Sequence, residues 1–515
     1  MNETREFDPL ALSVVGHAVS MVAEEMGTLL ERGALSPNIR ERRDASCALF
    51  DAHGRMIAQA AHIPVHLGAM PESVRAVREC QPRAGDVYLL NDPFRGGSHL
   101  PDLTLVEAIG ADDGTVIGFA AVRAHHADVG GMSPGSMPQG ATELMQEGIV
   151  IPPIRVAGAD GWIADVLALV LANVRTPEER RGDLEAQRAA CAAGRDGWRA
   201  LRARLGAARL VEACDALLDY TERRARATIR RLDGASGSAR DQLEGDGVSE
   251  SDIVVAVAIA AHGDCLRIDF TGTAPAVAGN VNCPLAVTRA ACVFALRTML
   301  EDDVPTNDGI ARAIDLIVPH GCAINAVWPS AVAAGNVEMS QRITDTLFAA
   351  FADAGVVVPA QGQGTMNNIT FGGAGWTFYE TLGGGQGASM CGDGPSAVHV
   401  GMSNTRNTPI ESLELAYPLR IDEYAIRRQS GGGGKHRGGD GVVRRYRVLE
   451  PCTVTLLTER RRHAPAGAYG GFPGQPGRNL LNGVPIPAKC RMLLQPGDVV
   501  TVETPGGGGW GQAAG

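Results

Sequence analysis

The distribution of apolar residues along the chain predicts one long helix followed by the strands of a sheet. Between Pro9 and Arg32 apolar residues recur at the spacing of a helix face, and Gly33 is suited to end the helix. Short apolar runs bounded by Gly, Pro or Asp then follow one another, which is typical of strands. We expect these strands over 45–51, 86–90, 104–109 and 116–125.

Two further helices are predicted in the middle of the chain. Thr176 is a suitable N-cap, Pro177 suits the first helical position, and Glu179 is placed to complete a capping box. This start predicts a helix that runs towards Ala193. A second helix is expected over 198–231, where Ala, Leu and Arg dominate.

Beyond the helical middle, strand patterns alternate with glycine-rich turns. The stretch 234–247 is rich in Gly, Ser, Asp and Arg, and it predicts a domain boundary. The frequency of glycine over 362–394 indicates turns or loops that interrupt regular structure. The other expected elements are strands over 253–261 and 265–270, helices over 286–300 and 337–352, and strands over 442–448, 453–458 and 499–502.

These elements predict an α+β protein of several domains, with mixed sheets, a helical middle and a β-rich C-terminal part. The length of 515 residues exceeds the usual span of one domain. We expect an N-terminal α+β domain over 1–240, which carries the helical middle and the candidate metal site described below. A central α/β domain with glycine-rich loops is expected over 241–425, and a β-rich C-terminal domain over 426–515.

The composition of the chain argues against nucleic-acid binding and against insertion into a membrane. A formal net charge of -11 argues against a nucleic-acid-binding surface. Apolar stretches stay shorter than the roughly 18 uncharged residues of a membrane-spanning helix. The 11 cysteines are scattered, odd in number and never arranged as C-x-x-C, which fits reduced thiols. We therefore expect a soluble cytoplasmic protein that binds neither nucleic acid nor membrane.

Two similar segments carry candidate metal ligands. The first reads His-Leu-Pro-Asp over 99–102, and the second reads His-His-Ala-Asp over 125–128. Both lie at the ends of predicted strands, where a rigid scaffold presents functional side chains. Imidazole and carboxylate together suit Zn, Mn or Fe(II), and two histidines with one carboxylate leave positions open for water and substrate. We predict a divalent metal held by His99, Asp102 and His125.

The second segment leaves alternatives open. Adjacent His125 and His126 point to opposite faces if the strand persists, so only one of them is expected to bind the metal directly. His125 is preferred, and His126 is then expected to support the ligands and to move protons. Asp128 is predicted as a catalytic base or as a fourth ligand. A single H-x-x-D segment is also compatible with a packed histidine and a turn-capping aspartate, but the presence of two such segments favours the metal.

Three other kinds of segment carry weaker signals. A loop over 62–68 places His62 and His66 together, in either a packed turn or a substrate-side position. The stretches 361–368 and 381–389 present backbone N–H groups that can hold an anion or an oxyanion, notably near Gln386. The stretch 430–439 matches neither G-x-x-x-x-G-K-[ST] nor G-x-G-x-x-G, so a surface loop is expected, and the main ATP site is not placed on this chain.

Taken together, these motifs resemble those of the B subunit of the hydantoinase/oxoprolinase family. The resemblance implies an enzyme that works with an ATP-binding A-type subunit, which phosphorylates a carbonyl, while the B subunit supplies a metal-containing site. In carboxylase relatives the ligands come from regions that match His99, Asp102 and His125, and Glu147 and Asp128 are further candidates. The resemblance is carried by residues 36–44, 62–68, 91–102, 123–131, 147–153, 173–181, 269–273, 383–387 and 402–408.

The resemblance leads to three hypotheses about function. The first is ATP-dependent opening of a hydantoin, 5-oxoproline or lactam ring, in a hetero-oligomer with the A-type subunit that binds ATP. In this hypothesis His126 or Asp128 moves protons, and the glycine-rich loop near Gln386 stabilises an oxyanion. The second is an ATP-dependent carboxylase of a ketone such as acetone or acetophenone. The third is a non-catalytic scaffold that supports an active partner.

Overall fold

The first half of the chain forms a sheet covered by helices. The computed structural model describes residues 7–61 and 63–513. The helices of this region are α1 (Pro9–Gly33), α2 (Pro37–Arg40), α3 (Met70–Glu79), α4 (Ala164–Ala172), α5 (Pro177–Leu205) and α6 (Ala207–Arg230). The strands are β1 (Ala45–Asp51), β2 (Met56–Ala61), β3 (Val87–Leu90), β4 (Asp102–Gly110), β5 (Val116–His125), β6 (Ile154–Gly158) and β7 (Gly161–Trp162).

These strands make one sheet in the order β2-β1-β5-β4-β3-β6-β7, and helices pack on both of its faces. Successive side chains of β1 point to opposite faces of the sheet, so they pack in two different hydrophobic cores. Cys47 and Leu49 belong to the core that contains α1 and α5, whereas Ala48 and Phe50 pack in the core that contains α3. Because both faces of the central strands are buried, β1 and β4 carry buried residues along their whole length.

The second half of the chain contains three smaller sheets. Its helices are α7 (Leu285–Arg297), α8 (Ser340–Asp353) and α9 (Ile410–Ala416). Its strands are β8 (Ser236–Leu243), β9 (Ile253–His262), β10 (Cys265–Asp269), β11 (Ile314–Ile317), β12 (Asn368–Gly373), β13 (Trp376–Glu380), β14 (Leu419–Arg427), β15 (Gly441–Val448), β16 (Cys452–Leu457), β17 (Arg478–Leu481), β18 (Val484–Ile486), β19 (Lys489–Leu494) and β20 (Val499–Glu503). The sheet orders are β11-β10-β9-β8, β13-β12-β16-β19 and β14-β15-β20-β17-β18.

The predicted α+β class is confirmed by this multi-sheet architecture, with α4, α5 and α6 as the helical middle and seven strands after residue 418. The division at 240 and at 425 stays a prediction. Strand β8 crosses the first of these positions and strand β14 crosses the second. Within 7–61 and 63–513, no helix combines the length and apolarity needed to span a membrane.

Several predicted element boundaries are wrong. Helix α5 does not stop near Ala193 but continues to Leu205, where Gly206 at φ 86° separates it from α6. A Cβ on Gly194 would lie 2.6 Å from the sulfur of Met26 on α1, so this glycine permits close helix packing. The stretch 234–247, at which a domain boundary was predicted, contains strand β8, a half-polar strand at the edge of its sheet.

The capping box predicted at the start of α5 is also wrong. Thr176 occupies the N-cap position, but among the described residues its side chain accepts no hydrogen bond from the helix backbone. Its hydroxyl instead accepts from Arg180 Nη1 at 3.0 Å, and Glu179 pairs with Arg180 Nη2 at 3.0 Å. The buried Arg180 side chain therefore binds both of the side chains that were expected to cap the helix.

Glycine-rich segments from distant parts of the chain pack against one another as a glycine layer, which comprises residues 383–388, 430–439, 466–474 and 505–511. Backbone hydrogen bonds connect them, including Gly432 N to Gly507 O at 2.8 Å and Gly507 N to Gly439 O at 2.9 Å. A Cβ on Gly507 would lie 2.1 Å from the carbonyl oxygen of Gln386. The stretch 430–439 is therefore only partly the surface loop that was predicted, because Gly432 and Gly439 are buried.

We predict that Gly507→Ala destabilises the protein, because its new Cβ meets a backbone carbonyl rather than a mobile side chain. Overpacking of this kind costs about 2–3 kcal/mol. The expected result is a lower midpoint of urea unfolding, followed by circular dichroism. Gly392→Ala is the matched control, because no described heavy atom lies within 4 Å of its added Cβ. Equal midpoints for the two variants would show that the glycine layer is not tightly packed.

Candidate metal centre

Two neighbouring antiparallel strands bring the first pair of predicted ligands together. Asp102 begins β4 and His125 ends β5, and the two residues are directly paired across the ladder. Residues paired in this way project to the same face of a sheet. The distance from His125 Nδ1 to Asp102 Oδ1 is 3.3 Å, and both side chains are buried.

His99 joins this pair through the turn that precedes β4. The backbone N–H of Asp102 donates to the carbonyl of His99 at 3.1 Å, which places the His99 ring beside the Asp102 carboxylate. The distance from His99 Nε2 to Asp102 Oδ1 is 3.0 Å. His99 Nδ1 lies 3.1 Å from the carbonyl oxygen of Ala333, to which it donates, so Nε2 is left to face the carboxylate.

The three side chains fit a divalent cation. Their potential ligand atoms all lie within 4.8 Å of one another. Within the described chain, His99 Nε2 and Asp102 Oδ1 are buried and have no hydrogen-bond partner. Buried polar atoms are normally satisfied, so unpartnered donor atoms that converge on one point are compatible with a bound ion. Two imidazoles and one carboxylate are also a ligand set typical of Zn or Fe(II) sites.

The second oxygen of Asp102 is held by a separate set of residues. Ser98 Oγ donates to Oδ2 at 2.6 Å, and Asn336 Nδ2 donates to it at 3.3 Å. His66 Nε2 lies 3.4 Å from the same oxygen, while its Nδ1 lies 3.0 Å from Ser46 Oγ. The carboxylate is therefore fixed on one side and remains available for a cation on the other.

A small, mostly enclosed cavity adjoins Asp102 and His125. Its volume of about 10 Å³ is room for about one water molecule. Tyr379 stacks on the His125 ring with a centroid distance of 4.5 Å and an interplanar angle of 18°, which fixes the orientation of that imidazole. The cavity is lined by Asp44, Ile63, Val65, His66, Asp102, His125, Asn336, Val337, Met366, Tyr379 and Thr381.

Electrostatic interactions within the centre oppose the effect of burial. Burial favours a neutral Asp102, but the charge of His99 and the nearby imidazoles of His125 and His66 hold the pKa of Asp102 well below its usual range. Burial also lowers the pKa of His99, but Asp102 outweighs this effect and the net pKa is raised. For His125 burial dominates, and its pKa is lowered. These pKa directions favour an ionised Asp102 and a neutral His125, the forms that bind a metal, whereas a metal would have to displace a proton from His99.

Glu147 binds the backbone of the loop that contacts His99. Its Oε1 accepts the backbone N–H groups of Val332 and Ala333, each at 2.9 Å, and the carbonyl of Ala333 accepts from His99. Burial raises the pKa of Glu147 to about 8, although these two backbone donors lower it. Glu147 therefore holds the loop that orients His99.

The structure does not bring the predicted catalytic pair, His126 and Asp128, into the same cluster. The distance from His126 Nε2 to Gln187 Oε1 on α5 is 2.9 Å, and burial lowers the pKa of His126 to about 4. Asp128 accepts from the backbone N–H groups of Gly130 and Gly135 and pairs with Arg175 at 3.0 Å. These contacts stabilise the loop after β5, so they give no support to catalytic roles for either residue.

The loop near Gln386 is not the oxyanion site that was predicted. The backbone N–H groups of Gly385, Gln386 and Ala388 donate to the carbonyls of Pro505, Pro395 and Gly508, at 2.9 to 3.0 Å. Donors that are already used within the glycine layer are not available to a ligand. Of the predicted histidine loop, His66 reaches the centre, and His62 lies outside the described residues.

Sequence reasoning missed several side chains of the centre. Asn336 lies in a π-helical turn over Gly335–Met339, a feature that occurs mostly at functional sites but has no sequence pattern of its own. Tyr379 lies on β13, where an apolar strand pattern gives no sign of contact with His125. Asp44 and Ser98 lay inside motifs that carried the family resemblance, and that resemblance was the available signal.

Comparison with known proteins places the chain in a family. The family model described as Hydantoinase B/oxoprolinase matches residues 8–513. The chain belongs to this family. An uncharacterised protein of Methanocaldococcus jannaschii is 39% identical over 98% of this chain and 91% of its own length. The resemblance deduced from the sequence motifs is therefore confirmed.

Other relatives of this hydantoinase B/oxoprolinase chain differ in length. The 5-oxoprolinase 1 of Arabidopsis thaliana is 35% identical over 98% of the chain, but the chain spans only 42% of that protein. A Pseudomonas protein named as one subunit of a putative D-/L-hydantoinase is 31% identical, with 99% of this chain and 91% of that protein covered. The same sequence thus corresponds to part of a long protein in one case and to nearly a whole subunit in the other.

Two solved structures share the fold of this hydantoinase B/oxoprolinase chain. The ATP-dependent caprolactamase from Pseudomonas jessenii aligns with a TM-score of 0.90 and 27% identity, covering 98% of this chain and 91% of that chain. Nucleotide-free acetone carboxylase aligns with a TM-score of 0.87 over 99% of this chain and 76% of that chain. At 19% identity, the second likeness shows the fold alone.

We predict that Glu147→Gln gains stability relative to the parent protein as the pH rises. The folded pKa of about 8 exceeds the ordinary value of 4.5, so the folded state binds the proton more tightly. This contribution to stability is present at low pH and is lost as pH rises from about 4.5 to about 8. Glutamine resembles the protonated acid and avoids that loss. Urea unfolding with chelator present should show the difference growing to about pH 8, and the exposed Glu143→Gln variant is the matched control.

Proposed function

We propose that this chain is the metal-containing subunit of an ATP-dependent cyclic amidase that opens a hydantoin, 5-oxoproline or lactam ring. The observation that carries the proposal is the convergence of His99, Asp102 and His125 beside a closed cavity. Family membership supports the reaction class, since its relatives include a protein named 5-oxoprolinase and a structure described as an ATP-dependent caprolactamase.

A cyclic amide resists hydrolysis because resonance weakens the electrophilic character of its carbonyl carbon. In the proposed reaction the partner transfers the γ-phosphoryl group of ATP to the carbonyl oxygen and releases ADP. Water then adds to the activated carbon, the ring C–N bond breaks, and a second water releases phosphate from the resulting acyl phosphate. A divalent Zn, Mn or Fe ion held by this chain would supply Lewis-acid activation of water at neutral pH.

The residues of this chain position that chemistry. The carbonyl of Ala333 binds His99 Nδ1 and directs Nε2 inwards, and stacking on Tyr379 fixes the His125 ring. Ser98 and Asn336 hold one oxygen of Asp102, so the other oxygen keeps a constant position. Burial of these groups excludes bulk water and strengthens electrostatic interactions inside the site.

An ATP-binding A-type subunit is the partner that we propose. The Pseudomonas relative, whose name describes it as one subunit of a hydantoinase, supports an assembly of unlike chains. The Arabidopsis 5-oxoprolinase supports the same arrangement in a different way, because the chain spans only 42% of its length. The proposed hetero-oligomer would place the ATP site mainly on the partner.

We predict that His99→Ala and His125→Ala reduce bound metal from about one equivalent to less than about a tenth, because each removes one of three ligands. Elemental analysis of the purified chain measures this directly. His126→Ala is the matched control, since it removes an equally buried histidine whose ring contacts Gln187. Metal that is retained in His99→Ala, or lost in His126→Ala, contradicts the assigned ligand set.

We predict ring opening of 5-oxoproline, hydantoin or caprolactam when the chain is combined with its A-type partner and ATP. Chromatographic detection of the ring-opened product and of ADP gives the reaction and its stoichiometry. Turnover without ATP would exclude the phosphorylation step. Incorporation of labelled bicarbonate from a ketone would instead identify a carboxylase, and full activity of a metal-free His99→Ala assembly would identify a scaffold.

A further inference from the structure

The family motif over 402–408 has no role in the site described above, yet the structure places it against the metal cavity. Thr381 lines the cavity, and its Oγ1 lies 2.7 Å from Oγ1 of Thr405 in that motif. Asn407 Nδ2 donates to the carbonyl of Thr381 at 3.0 Å, and the backbone N–H of Arg406 donates to the carbonyl of Arg42 at 2.9 Å. The motif is therefore bound to one wall of the cavity.

A third contact determines which of the two threonine hydroxyls donates the hydrogen bond between them. Arg42 Nη2 donates to Thr381 Oγ1 at 2.8 Å, and arginine is always a donor. One lone pair of Thr381 is thus occupied, and its hydroxyl proton is free to point towards Thr405. Thr405 then accepts from Thr381 and must direct its own proton elsewhere.

His399 lies at the far end of these hydroxyls. Its Nε2 is 3.4 Å from Thr405 Oγ1, and its Nδ1 is 2.9 Å from Ser403 Oγ. His399 is partly exposed as a residue, whereas its two ring nitrogens face the buried hydroxyls of Thr405 and Ser403. Burial and then the charge of Arg42 lower the pKa of His399 to about 3, which keeps the ring neutral. A neutral imidazole accepts at one nitrogen and donates at the other.

We propose that Thr381, Thr405 and His399 form a proton relay between the closed metal cavity and solvent. Water in the cavity gives a proton to Thr381 Oγ, Thr381 gives its own proton to Thr405, and Thr405 gives its proton to His399 Nε2. His399 Nδ1 gives its proton to Ser403 Oγ, and the Ser403 hydroxyl gives up its own proton at the partly exposed surface beside His399. One proton thus leaves, and one hydroxide remains in the cavity. The hydroxyls then rotate and the ring protons of His399 exchange, which restores the original hydrogen-bond directions.

The relay rests on the proposed hydrolytic function for its purpose, because a closed cavity of about 10 Å³ offers little room for water to carry protons away. Water activation produces protons among buried side chains, where bulk solvent has little access. The three side chains act through the water and not on the substrate, so they are positioning residues for proton transfer.

The test compares Thr405→Val and His399→Gln with Thr408→Val in the complete assembly with partner and ATP. Thr408 is buried in the same motif, and its hydroxyl has no hydrogen-bond partner among the described residues. We expect kcat for ring opening to fall at least about tenfold in the first two variants, with little change in KM or metal content. The solvent isotope effect should rise in Thr405→Val, Thr405→Ser should recover activity, and Thr408→Val should stay within about twofold.

A second measurement separates the relay from the proposed function. Exchange of the ring N–H proton of His125, whose side chain lines the cavity, with solvent is followed by nuclear magnetic resonance of the chain labelled with ¹⁵N-histidine, and it needs no turnover. We expect exchange at least about fivefold slower in Thr405→Val and His399→Gln than in Thr408→Val. Equal exchange rates would overturn the relay even in an active amidase, whereas slowed exchange in an assembly that opens no ring would sustain the relay and reject the amidase.

Discussion

The buried carboxylate of Asp102 is the constraint on which the rest of the centre depends. An isolated carboxylate in a protein interior is costly unless hydrogen bonds and opposite charge compensate for lost hydration. Here a hydroxyl and an amide hold one oxygen, and His99 and His125 lie beside the other. Each of these partners must be held at about 3 Å, so the surrounding strands and loops have little freedom to move.

The groups that build the centre come from widely separated regions of the chain. Strands β4 and β5 supply Asp102 and His125, the segment before α8 supplies the Ala333 carbonyl and Asn336, and strand β13 supplies Tyr379. Ion pairs also hold α8 to neighbouring segments, since Arg342 pairs with Asp241 of β8 at 2.9 Å and Asp345 pairs with Arg460, which follows β16, at 2.7 Å. The fold thus serves chiefly to bring distant segments to a single carboxylate.

Local pattern and ligand chemistry were enough to predict part of this arrangement. The ends of β1 and β5 follow from apolar alternation, and the three predicted ligands lie together because Asp102 and His125 are paired across one ladder. Prediction failed where long-range packing overrides local preference. Arg180 binds the two side chains that were expected to cap α5. Gly194 lies inside a continuous helix, where its lack of a Cβ allows close contact with α1. The contacts of Asn336 and Tyr379 depend on how the sheets meet, which no local pattern reveals.

The separation of these residues along the chain has a consequence for how the protein is made. His99 is oriented by a carbonyl 234 residues later, and Arg42 contacts Tyr379 and Thr381, more than 330 residues away. Contacts between residues so far apart in the sequence form late. The chain must first close a long loop, at a cost in conformational entropy, before such a contact can stabilise it. A growing chain that has passed Asp102 and His125 therefore still lacks a finished site. His99, Asp102 and His125 therefore reach their final arrangement only after most of the polypeptide has left the ribosome.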